Sequence, residues 1–122
     1  MSTPLRLLAS SLRFLPRTWV RRVAWRYIAG ESLPEALRLV DGLQRHGLLA
    51  TVDVLGENVA REEDARSAMS EYDALIDGLS DRGPRTEVSV KPTLVGLRIS
   101  EDLAAENLAR VAEHASRRGV GL

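Results

Sequence analysis

Glu87-Val88-Ser89-Val90-Lys91-Pro92-Thr93 reads as a short strand that ends on a lysine, and the parity of its side chains decides the fold. Successive strand residues point to opposite faces. Val88 and Val90 therefore share one side, and Glu87, Ser89 and Lys91 the other. The stretch Leu48 to Leu55 repeats the pattern, with Ala50, Val52 and Val54 on one side and Thr51, Asp53 and Leu55 on the other. In a doubly wound open sheet, helices cover both faces and strands become almost continuous apolar runs. One aliphatic and one polar face are expected instead where helices cover a single side and the other looks into a closed barrel. Such a barrel carries its active site at the C-terminal strand ends, where Asp53, Glu57 and Lys91 fall.

The segments around the two strands fit this reading. Ser32-Leu33-Pro34-Glu35 has the pattern of a capping box with proline in the first turn. It opens a helix that turns Ala36, Leu37, Val40 and Leu43 inward and stops at Gly47. After the Gly56-Glu57-Asn58 turn, a helix opening at Arg61 places Ala65, Ala68, Met69, Tyr72, Leu75, Ile76 and Leu79 on one face at helical period. Met69 and Tyr72 read as core. Asp81-Arg82-Gly83-Pro84 turns the chain into the second strand, Thr86 to Lys91. Ser100 is the expected N-cap of a last helix with Glu101 and Asp102 in its first turn. Leu103, Leu108, Val111, Ala112 and Ala115 form its inner face, and Gly119 closes it. Val120-Gly121-Leu122 reads as the start of a third strand. Helix, strand, helix, strand, helix and incipient strand argue for parallel strands with helical crossovers. The expected class is α/β: a partial (β/α) barrel made of the first two βα units, over residues 31–122, behind N-terminal helices.

Residues 1–30 differ in charge. They hold six arginines and no acid, so a chain of zero net charge carries +6 there and −6 in the rest. Leu5, Leu8, Leu12 and Leu15 lie at helical spacing before Pro16, and a second basic helix is expected over Arg17 to Ile28. Three readings stand for this segment: a transit peptide, an amphipathic helix on anionic lipid, and a lid packed on the acidic remainder. No apolar run approaches the roughly 20 residues that cross a bilayer. Without cysteine the chain has no disulfide, thiolate metal site or cysteine nucleophile, and a cytoplasmic setting is expected. The acidic remainder argues against nucleic acid as a partner.

Lys91 is the single lysine among 17 basic residues. Where arginine serves every other cationic position, a lysine at a strand end hints at a need for a compact ammonium. Two readings stand for the trio at the strand ends. In one, Lys91 and Asp53 form a buried structural ion pair. In the other, Lys91 grips an anionic group of a substrate while Asp53 and Glu57 hold it, or partner cations, in place. His46 and His114 lie near helix ends without a matching acid or second histidine, and neither is expected to bind a metal. The sequence carries no glycine-rich phosphate loop and no zinc-protease or Ser-His-Asp pattern.

Arg26-Tyr27-Ile28-Ala29-Gly30-Glu31, the Ser32-x-x-Glu35-Ala36 helix start, Thr51-Val52-Asp53-Val54-Leu55-Gly56-Glu57 and Ser89-Val90-Lys91-Pro92-Thr93 with Gly96-Leu97 together resemble the N-terminal part of bacterial proline dehydrogenases. The resemblance implies a distorted (β/α) barrel that oxidises L-proline to pyrroline-5-carboxylate, with FAD as acceptor and a membrane quinone as onward acceptor. It also implies peripheral contact with the inner membrane. Lys91 would match the lysine that pairs with the proline carboxylate. Glu57 would match a strand-end glutamate paired with a substrate-gripping arginine, and Asp53 an inward-facing residue supporting that ion-pair network. Pro92 and Leu94 depart from the family pattern, which more often has a leucine and a polar residue there. The resemblance places an acidic residue of the third strand, the paired arginines that hold the carboxylate and most FAD contacts on later strands. The chain is thus expected to be an N-terminal fragment that by itself neither retains FAD nor turns over. The rival expectation is a stand-alone α/β module whose basic helices bind a membrane or a partner.

Overall fold

The computed structural model describes residues 32–83 and 86–122. The expectations for residues 1–30, and for Pro84 in the turn before the second strand, lie outside the described residues.

The first helix, α1, runs Leu33–Arg45. Ser32 takes the extended backbone of an N-cap, but its side chain makes no cap hydrogen bond. The expected capping box therefore does not form. Pro34 in the first turn carries no N–H and so leaves one donor fewer to cap, while the Ser32 carbonyl accepts from the Glu35 and Ala36 amides, both at 3.1 Å. Val40 is buried, and Leu33, Leu37 and Leu43 pack partly buried against the core. At the other end Gly47, at φ 74°, donates to the Gln44 carbonyl while Leu48 donates to that of Leu43. These are the two bonds of a Schellman closure, whose left-handed residue suits glycine.

Strand β1, Ala50–Asp53, and strand β2, Thr86–Ser89, pair in parallel with Ala50 opposite Thr86 and Asp53 opposite Ser89. Both are shorter than their apolar patterns suggest, because the regular ladder comprises only four residue pairs. Leu48, Leu49 and Leu55 beyond its ends are exposed. The alternation itself holds: Ala50, Val54, Thr86 and Val88 are buried, while Thr51, Asp53 and Glu87 are exposed.

Helix α2, Glu62–Ser80, connects the two strands and buries Ala65, Ala68, Met69, Tyr72, Leu75, Ile76 and Leu79, the face its period predicts. Helix α3, Glu101–Arg118, packs against α2 and begins at Ser100, whose Oγ accepts from the Leu103 amide at 3.3 Å. Its buried stripe is Ala104, Asn107, Val111 and Ala115. Ala112, expected inside, is exposed. It follows Val111 directly and so points about 100° away from the stripe. Beyond α3 the chain returns to the sheet: Gly121 bridges Glu87 in parallel, accepting from the Val88 amide at 2.9 Å. This is the incipient third strand, on the edge of β2 away from β1. The described architecture is α/β, a parallel two-stranded sheet with three helices.

Candidate functional site

The polar faces of β1 and β2 converge at their C-terminal ends. Asp53 closes β1, and Lys91 lies two residues past the end of β2 on the same side of the sheet. Lys91 Nζ is 2.6 Å from Asp53 Oδ2. The pair expected in the structural reading therefore forms, but it is not buried: the side chains keep 34% and 41% of their exposure. The Asp53 hydrogen bond is the largest influence holding the Lys91 pKa above its ordinary value, and the more distant Glu57 carboxylate adds to it. Lys91 is thus a firm ammonium. It has three donors, of which Asp53 takes one, and the side chain remains open to solvent.

The backbone that carries Lys91 is held separately. The ladder of β2 has stopped at Ser89, and the Lys91 amide donates instead to the phenolic oxygen of Tyr72 at 3.3 Å. The Tyr72 hydroxyl also lies 3.5 Å from the Ser89 carbonyl, a weaker contact. Pro92 disfavours a helical backbone at Lys91 and so keeps it in line with the strand. Immediately afterwards the chain coils, with the Leu94 amide donating to the Lys91 carbonyl at 2.9 Å. Leu94 and Val95 are buried, and Asn107 of α3, itself buried, donates to the Val95 carbonyl at 2.9 Å.

Glu57 sits in the loop after β1. That loop joins the one after β2 through the Val59 amide, which donates to the Thr93 carbonyl at 3.1 Å. Gly56, at φ 133°, comes so close that a β-carbon there would stand 3.0 Å from Leu94. Glu57 is exposed and makes no ion pair among the described residues. Asp53 and Lys91 are thus brought into contact, and Glu57 reaches them only through its field.

Two further features lay outside the sequence reading. His114 has matching acids after all: Nδ1 lies 2.8 Å from Asp73 and Nε2 2.9 Å from Asp77, both on α2. The spacing of those acids, one turn apart on a flank of α2, was the available signal. Tyr72 reads correctly as core, being fully buried, yet its hydroxyl reaches the strand end. A buried tyrosine needs a partner for that group. His46, by contrast, is exposed, with Nδ1 2.9 Å from the Gly42 carbonyl. No group of side chains among the described residues has the makings of a metal site.

The same residues do not by themselves make a flavin site. A flavin dinucleotide brings a diphosphate, and the strand ends present two carboxylates, Asp53 and Glu57, against the single ammonium of Lys91.

No family model matches the chain. Curated relatives do. It is 33% identical over 110 residues to proline dehydrogenase 1 of Bacillus subtilis (strain 168), a match covering 90% of this chain and 36% of that protein. It is 34% identical over 107 residues to proline dehydrogenase 2 of the same strain, covering 87% and 35%. With proline dehydrogenase of Deinococcus radiodurans it shares 30% over 108 residues, covering 86% and 35%. The chain thus spans about a third of the length of these relatives. The crystal structure of proline utilization A from Bdellovibrio bacteriovorus, inactivated by N-propargylglycine, superposes with a TM-score of 0.77 at 24% identity. That match covers 93% of this chain and 14% of the other, and bears on the fold. By its sequence relatives, and with a matching fold, the chain is a homologue of a part of proline dehydrogenase about one third the length of the enzyme.

Proposed function

We propose that this chain contributes the first two βα units of a (β/α)-barrel proline dehydrogenase, and that Lys91 in it grips the carboxylate of L-proline. The observation that carries the reading is the ammonium of Lys91 at the strand ends, 2.6 Å from Asp53 and open to solvent on its other side. Asp53 fixes the direction of the amine and further stabilises its charged form. Two N–H donors remain on the partly exposed ammonium, and a carboxylate of a bound amino acid would take them as charge-assisted bonds. Among the described residues the helices pack on one side of the sheet, which supports a barrel with the polar face as its interior. Glu57, raised on the loop tied to Thr93, is suited to pair with a cation from another part of the enzyme and close the pocket.

In this reading the complete enzyme oxidises L-proline to pyrroline-5-carboxylate, with FAD taking the hydride equivalent and a quinone reoxidising the flavin. FAD contacts come from outside the described residues. The basic residues 1–30 would serve a cytoplasmic enzyme as a peripheral contact with anionic lipid, near its quinone.

The test is a graft in which this chain replaces the matching segment of Bacillus subtilis proline dehydrogenase 1. The graft is expected to retain flavin and to show flavin bleaching on addition of L-proline. A graft that holds flavin but is not bleached by L-proline would contradict the proposal.

A further inference from the structure

We infer that Tyr72 is a positioning residue for Lys91, acting on its backbone from the opposite side of the sheet to the one on which the ammonium works. The inference rests in part on the proposed role of Lys91, but its structural content is independent of it.

The sheet leaves a gap that the tyrosine fills. The β1–β2 ladder ends at the pair Asp53 and Ser89. Lys91 lies beyond it, and among the described residues the partner of its amide is the Tyr72 oxygen. The ring belongs to the buried face of α2 and is wholly enclosed. The hydroxyl therefore comes from a rigid part of the core, where few alternative side-chain positions are open. By accepting from Lys91 and lying against the Ser89 carbonyl it spans the last three residues of the extended stretch, Ser89 to Lys91. Asp53 holds the far end of the same lysine at Nζ. Lys91 is thus fixed at both ends, at the main chain by α2 and at the ammonium by β1. Burial is the largest influence on the phenol and raises its pKa, so the hydroxyl keeps the proton that faces the Ser89 carbonyl while its oxygen accepts from Lys91. A site held within a fraction of an ångström depends on such supporting groups.

The single lysine makes a direct test available. The full chain labelled with [15N]lysine and [15N]valine gives one lysine backbone amide, that of Lys91, alongside valine amides such as that of Val111 in the core. In Tyr72→Phe, which keeps the ring and removes the oxygen, amide hydrogen exchange at Lys91 is expected to quicken by roughly fivefold or more, with Val111 unchanged. Unchanged exchange at Lys91 would overturn the inference, and so would equal acceleration at both amides, which marks a general loss of stability. Should Tyr72→Phe prove too unstable to measure, Tyr72→Trp, which keeps an aromatic core residue without the oxygen, gives the same comparison. The readout concerns Lys91's backbone alone. It can fail while Lys91 still binds a carboxylate, and hold while Lys91 does not.

Discussion

An ammonium hydrogen-bonded to a carboxylate gives up its proton less readily than one in water, and Lys91 has such a partner in Asp53. Asp53→Asn keeps the shape of the side chain and removes the charge. The Lys91 pKa, held above 10.5 in the native chain, is expected to fall in this variant, followed by the lysine ε-carbon shift in a chain with no other lysine side chain to confuse it. An unmoved midpoint would mean that the ion pair does not persist in solution. That Asp53 and Lys91 share a face was legible from alternation alone, since parity fixes the side of the sheet. That the Tyr72 hydroxyl lands on the Lys91 amide was not. Helical period says which face is buried, and not where the last atom of a long side chain ends.

At the scale of elements, α2 and α3 are joined by His114, which lies between Asp73 and Asp77, with Arg118 2.9 Å from the same Asp77. The Asp73 hydrogen bond is the largest influence and raises the His114 pKa above its ordinary value; burial opposes it, and the Asp77 bond and the charges of both acids add to the rise. A folded-state pKa above the unfolded one gives stability that is fully present below the unfolded value and is lost as pH rises through the folded one. Melting temperature is therefore expected to decline as pH rises from the ordinary histidine range through the raised folded-state value, and His114→Gln to flatten that decline. A profile as steep in the variant as in the native chain would remove His114 as its cause. The acids were missed in the sequence because they lie 41 and 37 residues away, a separation that only the packing of α2 on α3 closes. The strand ends were misjudged for a related reason. Apolar alternation continues to Val54 and Val90, but a strand lasts only as long as its neighbour pairs with it.

At the scale of the molecule, one feature organises the described residues: a parallel sheet with helices packed on its aliphatic side and charged residues gathered at the C-terminal ends of its polar side. The order of elements was readable from period and punctuation, because helix stops such as Gly47 and Gly119 announce themselves by their backbone requirements. The proposed enzyme needs this polar face to be the interior of a larger barrel, with Lys91 reaching a substrate carboxylate. A carboxylate contact made alike in ground and transition states is uniform binding, which appears in KM and leaves kcat nearly unchanged. The deciding measurement is the steady-state KM for L-proline of Lys91→Ala, in the graft of this chain onto the remainder of the Bacillus subtilis enzyme. The account predicts a KM raised by roughly ten- to a hundredfold, as for loss of a charge-assisted hydrogen bond, with kcat changed little. A KM equal to that of the unsubstituted graft, at normal kcat, would contradict it.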